Sequence, residues 1–335
     1  MISVKISVIG SGGWGTAAAL LLCRNGHSVC LWSYLEEERA RLEKDRENKE
    51  FLPGVPFGNA DITFTSDIDF AAEYGEVLVS VVPSKAVRAT AKKLSRKGNG
   101  KTVVNLSKGF DEETGCRLSE VFEQEMPDST IAVMSGPSHA EEVARGIPTT
   151  NVIACKSAEE AEKLQLIFMS GTFRVYTNPD ICGVEFGGAL KNVIALCAGI
   201  TDGLGYGDNT KAALMTRGLH EIARLGMKLG ANEKTFSGLS GVGDLIVTCT
   251  SMHSRNRRAG ILIGKGKTLD EALREVHMTV EGVDATRAAY ALSRKHNVEM
   301  PITEAAYNVL FNGTDPRTAV NMLMTRDRKS EADIL

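Results

Sequence analysis

The sequence lacks the residue groupings from which metal centres and nucleophilic serine sites are built. Its seven cysteines are scattered, an odd number without a Cys-x-x-Cys pair. This distribution favours reduced thiols and counts against a structural zinc site. None of the six histidines stands at metal-ligand spacing from Cys, Asp or Glu, and no serine lies in a nucleophile elbow. The chemistry must therefore be sought in other residue types.

The sequence also lacks a strong charge bias, internal repeats and low-complexity stretches, and its first part lacks a long apolar segment. Lysine and arginine total 39 against 42 for aspartate and glutamate, a net charge of -3, so no basic field favours nucleic acid. The longest early apolar run, Ala17–Cys23, is too short to span a bilayer. The first residues already alternate as a strand, which leaves no room for a signal peptide. We expect a cytoplasmic protein with no nucleic-acid partner and no stable membrane insertion.

A glycine-rich loop between a predicted strand and a predicted helix is the first motif that carries chemistry. The apolar run Val4–Ile9 is followed by Gly-Ser-Gly-Gly-Trp-Gly at residues 10–15 and then by a helix-forming segment. In this fingerprint Gly10 permits the tight turn, Gly12 lets the backbone approach a pyrophosphate, and Gly15 lets the helix pack close to the sheet. We therefore predict a dinucleotide-binding site.

The acidic residue expected about twenty positions beyond such a loop is missing. The second predicted strand ends in Trp32-Ser33-Tyr34. Without a carboxylate there, nothing repels the 2′-phosphate of NADP, and Ser33 could hydrogen-bond either a hydroxyl or a phosphate. Both NAD and NADP therefore stay open as cofactors.

Apolar strands alternate with helices up to about residue 178, beyond which helical periodicity takes over. This pattern predicts an α/β protein with a doubly wound, Rossmann-type parallel sheet covered on both faces, followed by an all-α domain. We assign residues 1–180 to a dinucleotide-binding domain and residues 181–335 to a helical substrate and catalytic domain. The predicted strands are Val4–Ile9, Ser28–Trp32, Ile62–Thr65, Val77–Val82, Thr102–Leu106, Thr130–Met134, Asn151–Ala154 and Phe173–Tyr176.

Three candidate residues follow two of these strands. Lys108 comes after Thr102–Leu106, and Gly136 and Ser138 come after Thr130–Met134. Ligands of parallel sheets bind at the carboxyl ends of the strands, where a lysine and backbone N–H groups could meet a phosphorylated substrate. The alternative for Lys108 is an exposed loop lysine. His139, which follows Ser138, is interpreted as structural.

A lysine in a helix of small residues is the candidate proton donor. Gly183, Gly187, Gly188 and Ala189 leave a strip with almost no side chain, along which another backbone or a ligand can come close. Lys191 is the long charged side chain on this strip. Desolvation lowers the pKa of a lysine and suits it to proton transfer. The alternative is an ordinary packed helix whose Lys191 reaches water.

A cationic segment follows a glycine-rich stretch in the helical domain. Three glycines before Asp244 predict a tight loop, and Ser254 is the predicted N-cap of the next helix. Arg255 and Asn256 then lie in its first turn, which predicts a phosphate site. The alternative is a surface charge run over residues 255–258.

Over nearly its whole length the chain resembles the bacterial-type NAD(P)-dependent glycerol-3-phosphate dehydrogenases. The resemblance implies reversible reduction of dihydroxyacetone phosphate to sn-glycerol 3-phosphate for phospholipid synthesis, with a triose phosphate as substrate and NAD or NADP as cofactor. We also expect a homodimer, because an apolar helical domain could bury an interface. The matching stretches are Gly10–Gly15, Phe51–Val55, Ser107–Gly109, Ser135–Ala140, Glu185–Asn192, Gly241–Leu245, Ser254–Asn256 and Val280–Gly282.

Carried over by position, the resemblance makes Lys191 the proton donor and acceptor. Tyr34 departs from the His or Arg that relatives often carry beside the adenosine ribose. The positions implied for substrate are Lys108, Gly136, Ser138, Lys191, Asn192, Asp244, Ser254, Arg255 and Asn256. The glycine-rich fingerprint and the resemblance together imply that the cofactor is bound by Gly10, Gly12, Gly13, Trp14, Gly15, Tyr34, Lys108, Ala140, Arg255 and Glu281.

Two other functions fit part of these features. A related dehydrogenase could act on a hydroxy acid or a sugar-phosphate acid, which requires a cation for the carboxylate. A catalytically inert nucleotide sensor would keep the glycine loop, but it has no use for a proton donor such as Lys191.

Overall fold

The computed structural model describes residues 3–328 and 330–331. It separates into two compact units, the first ending at Ile181 and the second beginning at Cys182. The strands lie in the first unit, and the second unit is built from helices. This confirms the predicted α/β class with a helical C-terminal part.

The strands of the first unit form one β-sheet. From edge to edge its strand order is β3-β2-β1-β4-β5-β6-β7-β8. The chain order reverses between β1 and β4, which is where open α/β sheets bind their ligands. The strands are β1 Lys5–Ile9, β2 Ser28–Trp32, β3 Ile62–Thr65, β4 Val77–Ser80, β5 Thr102–Asn105, β6 Thr130–Ser135, β7 Thr149–Cys155 and β8 Phe173–Asn178.

The prediction of a wholly parallel sheet is wrong at one place, since β7 runs antiparallel to β6. The connection between them contains one helix of five residues, α6, which rises only about 8 Å. The six residues of β6 extend about 20 Å. Such a short helix does not carry the chain back to the other end of the sheet, so β7 returns beside β6. Strand β8 is again parallel to β7.

Helices cover both faces of the sheet, as predicted. Val77 and Val79 of β4 pack into the hydrophobic core on one face, and Leu78 packs into the core on the other. The helices of the first unit are α1 Gly13–Arg24, α2 Glu36–Asp45, α3 Ile68–Tyr74, α4 Val87–Gly98, α5 Leu118–Glu125, α6 Ala140–Ala144 and α7 Ala158–Phe168.

The i,i+4 charge spacing of Glu36–Glu50 predicts a solvated helix over that whole segment, but α2 is shorter. It ends at Asp45 because Arg46 adopts a left-handed backbone conformation with φ of 51°. The chain then folds back so that the amide of buried Asn48 donates to the carbonyl oxygen of Ser11, 2.7 Å away. A polar side chain thus reaches the glycine loop from a region predicted to be a solvated helix.

The second unit is arranged around the long helix α8. The spacing of its apolar residues predicts one buried face, but nearly every residue of this helix is buried, including the polar Glu185, Lys191 and Asn192. Among the described residues it is the one helix long and apolar enough to cross a membrane, but 94% of its most apolar window is buried, as in a core helix. The helices are α8 Ile181–Gly203, α9 Asp208–Lys228, α10 Glu233–Phe236, α11 Asp244–Thr250, α12 Arg255–Gly264, α13 Leu269–Val276, α14 Glu281–His296, α15 Pro301–Phe311 and α16 Pro316–Met324.

Glycines bring α8 and α12 into backbone contact. A Cβ on Gly199 would overlap the carbonyl oxygen of Arg257, and a Cβ on Gly260 would overlap that of Leu196. Gly203 and Gly264 repeat the arrangement one turn further along. The two helices can approach this closely only because these positions carry no side chain.

The segment before Asp244 is not the predicted tight loop. Residues Leu239–Gly243 form one π-helical turn that leads directly into α11. A Cβ on Gly187 of α8 would overlap the carbonyl oxygen of Ser240 in this turn. The strip of small residues on α8 therefore contacts the backbone of another segment here. Such a contact was one of the two predictions for the strip, and a bound ligand was the other.

A buried carboxyl links α9 to the N-terminus of α15. Glu221 is 3% exposed and accepts hydrogen bonds from the backbone nitrogens of Ile302 and Thr303 at 2.7 and 3.1 Å. Burial raises the pKa of Glu221 from its ordinary 4.5 to about 7, although these hydrogen bonds act in the opposite direction. The folded protein consequently keeps a proton that the unfolded chain releases.

This carboxyl is expected to make stability depend on pH. Because the pKa is raised on folding, its contribution is complete below about pH 4.5 and is lost as pH rises to about 7, a change of about 3 kcal/mol. Urea unfolding of the wild type and of Glu221→Gln at pH 5, 6, 7 and 8 measures it. The difference in unfolding free energy between the two proteins should shift by that amount, whereas a constant difference would show that Glu221 is ionised when folded.

Candidate active site

The glycine loop of the first unit has the shape that a pyrophosphate requires. Gly10 has φ of +119°, a conformation that residues with a Cβ rarely adopt. A Cβ on Gly15 would overlap the carbonyl oxygen of Gly10, so α1 can begin directly under the loop. Gly12 has no atom within 4 Å of its Cβ position. The loop is therefore packed tightly on one side and open at Gly12.

Helix α1 begins beside this opening without a side chain that caps it. Gly12 is its N-cap residue, and the first turn contains no acidic side chain. The N-terminal N–H groups of such a helix favour an anion. The residues present thus fit the pyrophosphate of a dinucleotide. The neighbouring position Gly13 is crowded, since its Cβ would lie 2.7 Å from the carbonyl oxygen of Phe51 and 3.9 Å from Cβ of Ala140.

The structure brings Lys108, Gly136 and Ser138 together, as their strand-end positions predicted. The ammonium of Lys108 donates to the carbonyl oxygen of Gly136 at 3.4 Å, and the hydroxyl of Ser138 donates to the same oxygen at 3.1 Å. Gly136 has φ of +148° and leaves no room for a Cβ. His139 is the N-cap residue of α6. The cluster combines a cation and a hydroxyl at the carboxyl ends of β5 and β6.

Asn151 belongs to this cluster and was missed in the sequence. Its amide donates to the hydroxyl of Ser138 at 3.4 Å, and the residue is 1% exposed. It enters from β7, the strand whose direction was predicted incorrectly. The one sequence signal was a polar residue inside an apolar strand.

In the second unit Lys191 is buried together with a carboxylate. Lys191 is 6% exposed and Asp244 is 1% exposed. The ammonium pairs with Oδ1 of Asp244 and donates to the hydroxyl of Thr248 at 2.8 Å. Lys191 therefore does not reach bulk water, which excludes the alternative of an ordinary surface lysine. Burial disfavours the ammonium form and Asp244 favours it, so the two effects oppose each other.

Thr248 is a second residue that sequence reasoning missed. It lies four positions after Asp244 on α11, so both side chains share one helix face. Its hydroxyl donates to the carbonyl oxygen of Asp244 at 2.6 Å and accepts from Lys191. The i,i+4 spacing of two polar residues in an apolar helix was the available signal.

A chain of amide hydrogen bonds joins three helices next to Lys191. The backbone nitrogen of Gly282 donates to Oδ1 of Asn256 at 2.8 Å, and Nδ2 of Asn256 donates to Oδ1 of Asn192 at 2.9 Å. Gly282 follows Glu281, the first residue of α14. A Cβ on Gly282 would lie 2.7 Å from the carbonyl oxygen of Asn192. The candidate residues Asn192, Asn256 and Glu281 are thus connected through the start of α14.

The cationic segment is a capped helix start, as predicted. The hydroxyl of Ser254 accepts from the backbone nitrogen of Arg257 at 3.2 Å, so Arg255 and Asn256 lie in the first turn of α12. Arg257 is not a surface charge, because it pairs with Asp202 at 2.7 Å and its side chain is only 13% exposed. Lys211 pairs with the same carboxylate at 2.8 Å. Arg255 is half-buried.

The titratable sulfur groups do not resemble a reaction centre. All seven cysteines are free thiols, and burial raises the pKa of Cys30, Cys197 and Cys249 to about 12. Within the part of the chain that the structure describes, no group of three or more His, Cys, Asp or Glu side chains could hold a metal ion. The chemically distinctive cluster of the second unit is the one around Lys191.

Comparison with known proteins assigns the chain to a family. The family profiles described as NAD-dependent glycerol-3-phosphate dehydrogenase N-terminus and C-terminus match residues 5–161 and 180–321. Glycerol-3-phosphate dehydrogenase [NAD(P)+] of Pelotomaculum thermopropionicum is 55% identical over 99% of this chain and 96% of its own length.

Solved structures agree with this assignment. The crystal structure of glycerol-3-phosphate dehydrogenase from Coxiella burnetii is similar with a TM-score of 0.93 and 37% identity, over 97% of this chain and 99% of that one. D-mandelate dehydrogenase with NADH and anilino(oxo)acetate reaches a TM-score of 0.60 at 12% identity over 94% of this chain and 99% of that one. That second likeness is one of fold alone. The chain belongs to the NAD-dependent glycerol-3-phosphate dehydrogenase family.

Proposed function

We propose that this chain catalyses the reversible, NAD(P)H-dependent reduction of dihydroxyacetone phosphate to sn-glycerol 3-phosphate, with Lys191 as the residue that moves the proton. The observation that carries the chemical role is the buried ammonium of Lys191, held by Asp244 and Thr248. Family membership and identity above 50% to glycerol-3-phosphate dehydrogenases support the substrate. The product supplies the backbone of glycerophospholipids.

In the first unit, the glycine loop and the N-terminus of α1 would hold the pyrophosphate of the cofactor. The residues assigned to this role are Gly10, Gly12, Gly13, Trp14 and Gly15. When bound, the nicotinamide supplies the hydride. Tyr34, Lys108 and Ala140 would contact other parts of the cofactor. Lys108, Gly136 and Ser138 would bind substrate, supported by the hydrogen bonds that already join them.

In the second unit, Lys191 would give a proton to the ketone oxygen as charge develops there, and take it back in the reverse direction. Asp244 and Thr248 fix the position of the ammonium group, so little reorganisation is needed when the reaction occurs. Asn192 would donate a hydrogen bond to a substrate oxygen. General acid catalysis of this kind typically contributes about 10²- to 10⁴-fold.

Arg255 would bind a phosphate at the first turn of α12, where the N-terminal N–H groups favour an anion. Ser254 caps that turn, and its hydrogen bond to Arg257 supports the position of Arg255. Asn256 and Glu281 are assigned to substrate and cofactor respectively. The two units are thus proposed as a dinucleotide-binding domain and a substrate and catalytic domain.

The decisive experiment follows the absorbance of NADH and NADPH when dihydroxyacetone phosphate is added to the purified protein. Consumption of reduced cofactor in proportion to the triose phosphate supports the proposal. A panel of 2-oxo and 3-oxo acids serves as control, because a hydroxy-acid dehydrogenase of similar fold would prefer one of those. Cofactor binding without turnover on any compound would favour a nucleotide sensor and contradict the proposal.

Replacing Arg255 by alanine is expected to raise KM for dihydroxyacetone phosphate at least tenfold with a smaller effect on kcat. The reason is that a guanidinium holding the phosphate acts equally in the ground and transition states. Steady-state kinetics measure both constants. Arg274→Ala, at an exposed position of α13, is the matched control and should leave KM unchanged. An unchanged KM in Arg255→Ala would place the phosphate elsewhere.

We further propose a cytoplasmic homodimer. An apolar pocket of about 500 Å³ lies between α9 and α11 and is lined by Met215, Leu219, Val242, Leu245 and Ile246, among others. Ile246 beside this pocket is 48% exposed, and covering it with a second copy of the chain would bury apolar surface, which is favourable. Light scattering on the purified protein would give the mass, and a monomer would contradict the proposal.

A further inference from the structure

The edge of the first unit beside the glycine loop lacks the acidic residue expected at the end of β2. Strands β1 and β2 are in register up to Ile9 and Trp32, and the backbone nitrogen of Gly10 donates to the carbonyl oxygen of Trp32 at 3.1 Å. The residue after Trp32 is therefore next to the loop. It is Ser33, which is fully buried, and its hydroxyl has no partner within the described chain.

A carboxylate of α2, that of Glu38, lies beside the glycine loop instead. Oε1 of Glu38 accepts a hydrogen bond from the hydroxyl of Ser11, the second residue of the glycine loop, at 2.7 Å. The loop is held from the other side by Asn48, whose amide donates to the carbonyl oxygen of Ser11. Glu38 is only half-exposed, so its carboxylate lies against the loop. An ionised carboxylate accepts about four hydrogen bonds, and Ser11 uses one of them.

We propose that Glu38 replaces the missing strand-end acid: it accepts hydrogen bonds from the adenosine ribose hydroxyls and thereby makes the protein prefer NADH to NADPH. This rests on the proposed function only in requiring a nicotinamide dinucleotide on the glycine loop. Ribose hydroxyls donate to a carboxylate in a charge-assisted hydrogen bond. A 2′-phosphate would bring like charge to the same carboxylate, which disfavours binding.

The charges around Glu38 support exclusion of a phosphate. Glu36, Glu37 and Glu38 form the acidic first turn of α2. The arginines of this helix are already paired: Arg39 with Glu36 at 2.6 Å and also with Glu43, and Arg41 with Glu50 at 3.1 Å. A 2′-phosphate placed beside Glu38 would therefore meet the negative charge of Glu38, and neither arginine is left unpaired to offset that charge.

One other cation lies near the end of β2 and defines the competing interpretation. The ammonium of Lys93 on α4 is 5.7 Å from the ring centroid of Tyr34, and Tyr34 is 71% exposed. A lysine there could bind a 2′-phosphate and produce the opposite preference. The two interpretations differ in which side chain controls the ratio of the two affinities, so substitution separates them.

The test measures equilibrium binding of NADH and NADPH by fluorescence, without triose phosphate, for the wild type, Glu38→Gln, Glu37→Gln and Lys93→Ala. The wild type should bind NADH at least about tenfold more tightly than NADPH. Glu38→Gln should bring the two affinities within about threefold, because the amide keeps the shape but loses the charge. Glu37→Gln, at an exposed neighbouring position, and Lys93→Ala should keep the wild-type ratio.

Equal or tighter binding of NADPH by the wild type would overturn the proposal, and so would an unchanged ratio in Glu38→Gln. A ratio controlled by Lys93 would also overturn it. Displacement of bound NADH by adenosine 5′-monophosphate and by adenosine 2′,5′-bisphosphate should reproduce the preference, which locates it at the ribose. Failure to reduce dihydroxyacetone phosphate, with the binding preference intact, would contradict the proposed function alone.

Discussion

Replacing Lys191 by methionine is expected to lower kcat by about 10²- to 10⁴-fold while the dissociation constant of NADH stays within about threefold. Methionine fills a similar volume but has no proton to give. Pre-steady-state and steady-state reduction of dihydroxyacetone phosphate would measure kcat, and fluorescence titration would measure cofactor binding. An unchanged kcat would remove Lys191 from the chemical step.

A loss of stability could imitate this result, since the substitution leaves the carboxylate of Asp244 buried without its cation. Breaking a buried pair in this way typically costs about 3–5 kcal/mol. The double variant Lys191→Met/Asp244→Asn removes both charges and should recover most of that stability without recovering kcat. Lys228→Met, at an exposed position of α9, is the control with the same chemical change. Recovery of activity in the double variant would show that Lys191 serves only to neutralise Asp244.

The second large effect is a loss of unfolding free energy, expected when a side chain is added where α8 and α12 are in backbone contact. Alanine at Gly199 or Gly260 would place a methyl group on a carbonyl oxygen of the facing helix, so the helices must separate. Overpacking of this kind usually costs about 1–3 kcal/mol, although glycine to alanine in a free helix gains up to about 1 kcal/mol. Urea unfolding should therefore show destabilisation in both variants.

The matched control is Gly171→Ala, because Gly171 is exposed, its φ lies outside the left-handed region and its Cβ position is open. Its unfolding free energy should stay within about 0.5 kcal/mol of the wild type. Separation of α8 from α12 also displaces Asn256 from Asn192, so kcat should fall in Gly260→Ala even at temperatures where the protein is fully folded. Wild-type stability in both helix variants would contradict the backbone contact.

Local signals were enough to predict much of the fold. Ser28–Trp32 and Ile62–Thr65 were predicted with the bounds that the structure has, because turn residues enclose short apolar runs. The helical periodicity of Glu281–His296 likewise predicts a helix whose ends agree with the observed ones. The direction of β7 could not be predicted in this way, because its pairing with β6 depends on how far a five-residue helix carries the chain.

The residues of the candidate site also differ in whether local sequence signals could identify them. Lys191 could be identified because a lysine among glycines and apolar residues is chemically odd in the sequence. Thr248 and Asn151 could not, because an isolated threonine or asparagine is ordinary until a neighbouring segment brings Lys191 or Ser138 to it. Glu38 was likewise one glutamate in an acidic helix, and its contact with Ser11 arises from the fold.

The amide chain that ends at Gly282 has a direction, and the main chain sets it. A backbone N–H can only donate, so Asn256 must turn its oxygen to Gly282 and its nitrogen to Asn192. Asn192 in turn must turn its oxygen toward Asn256, which directs its Nδ2, with two N–H donors, away from Asn256. Rotating either amide by half a turn would set two donors or two acceptors against each other in a buried place. A peptide group at the start of α14 thus determines which end of the Asn192 amide faces Asn256 and which end faces away from it.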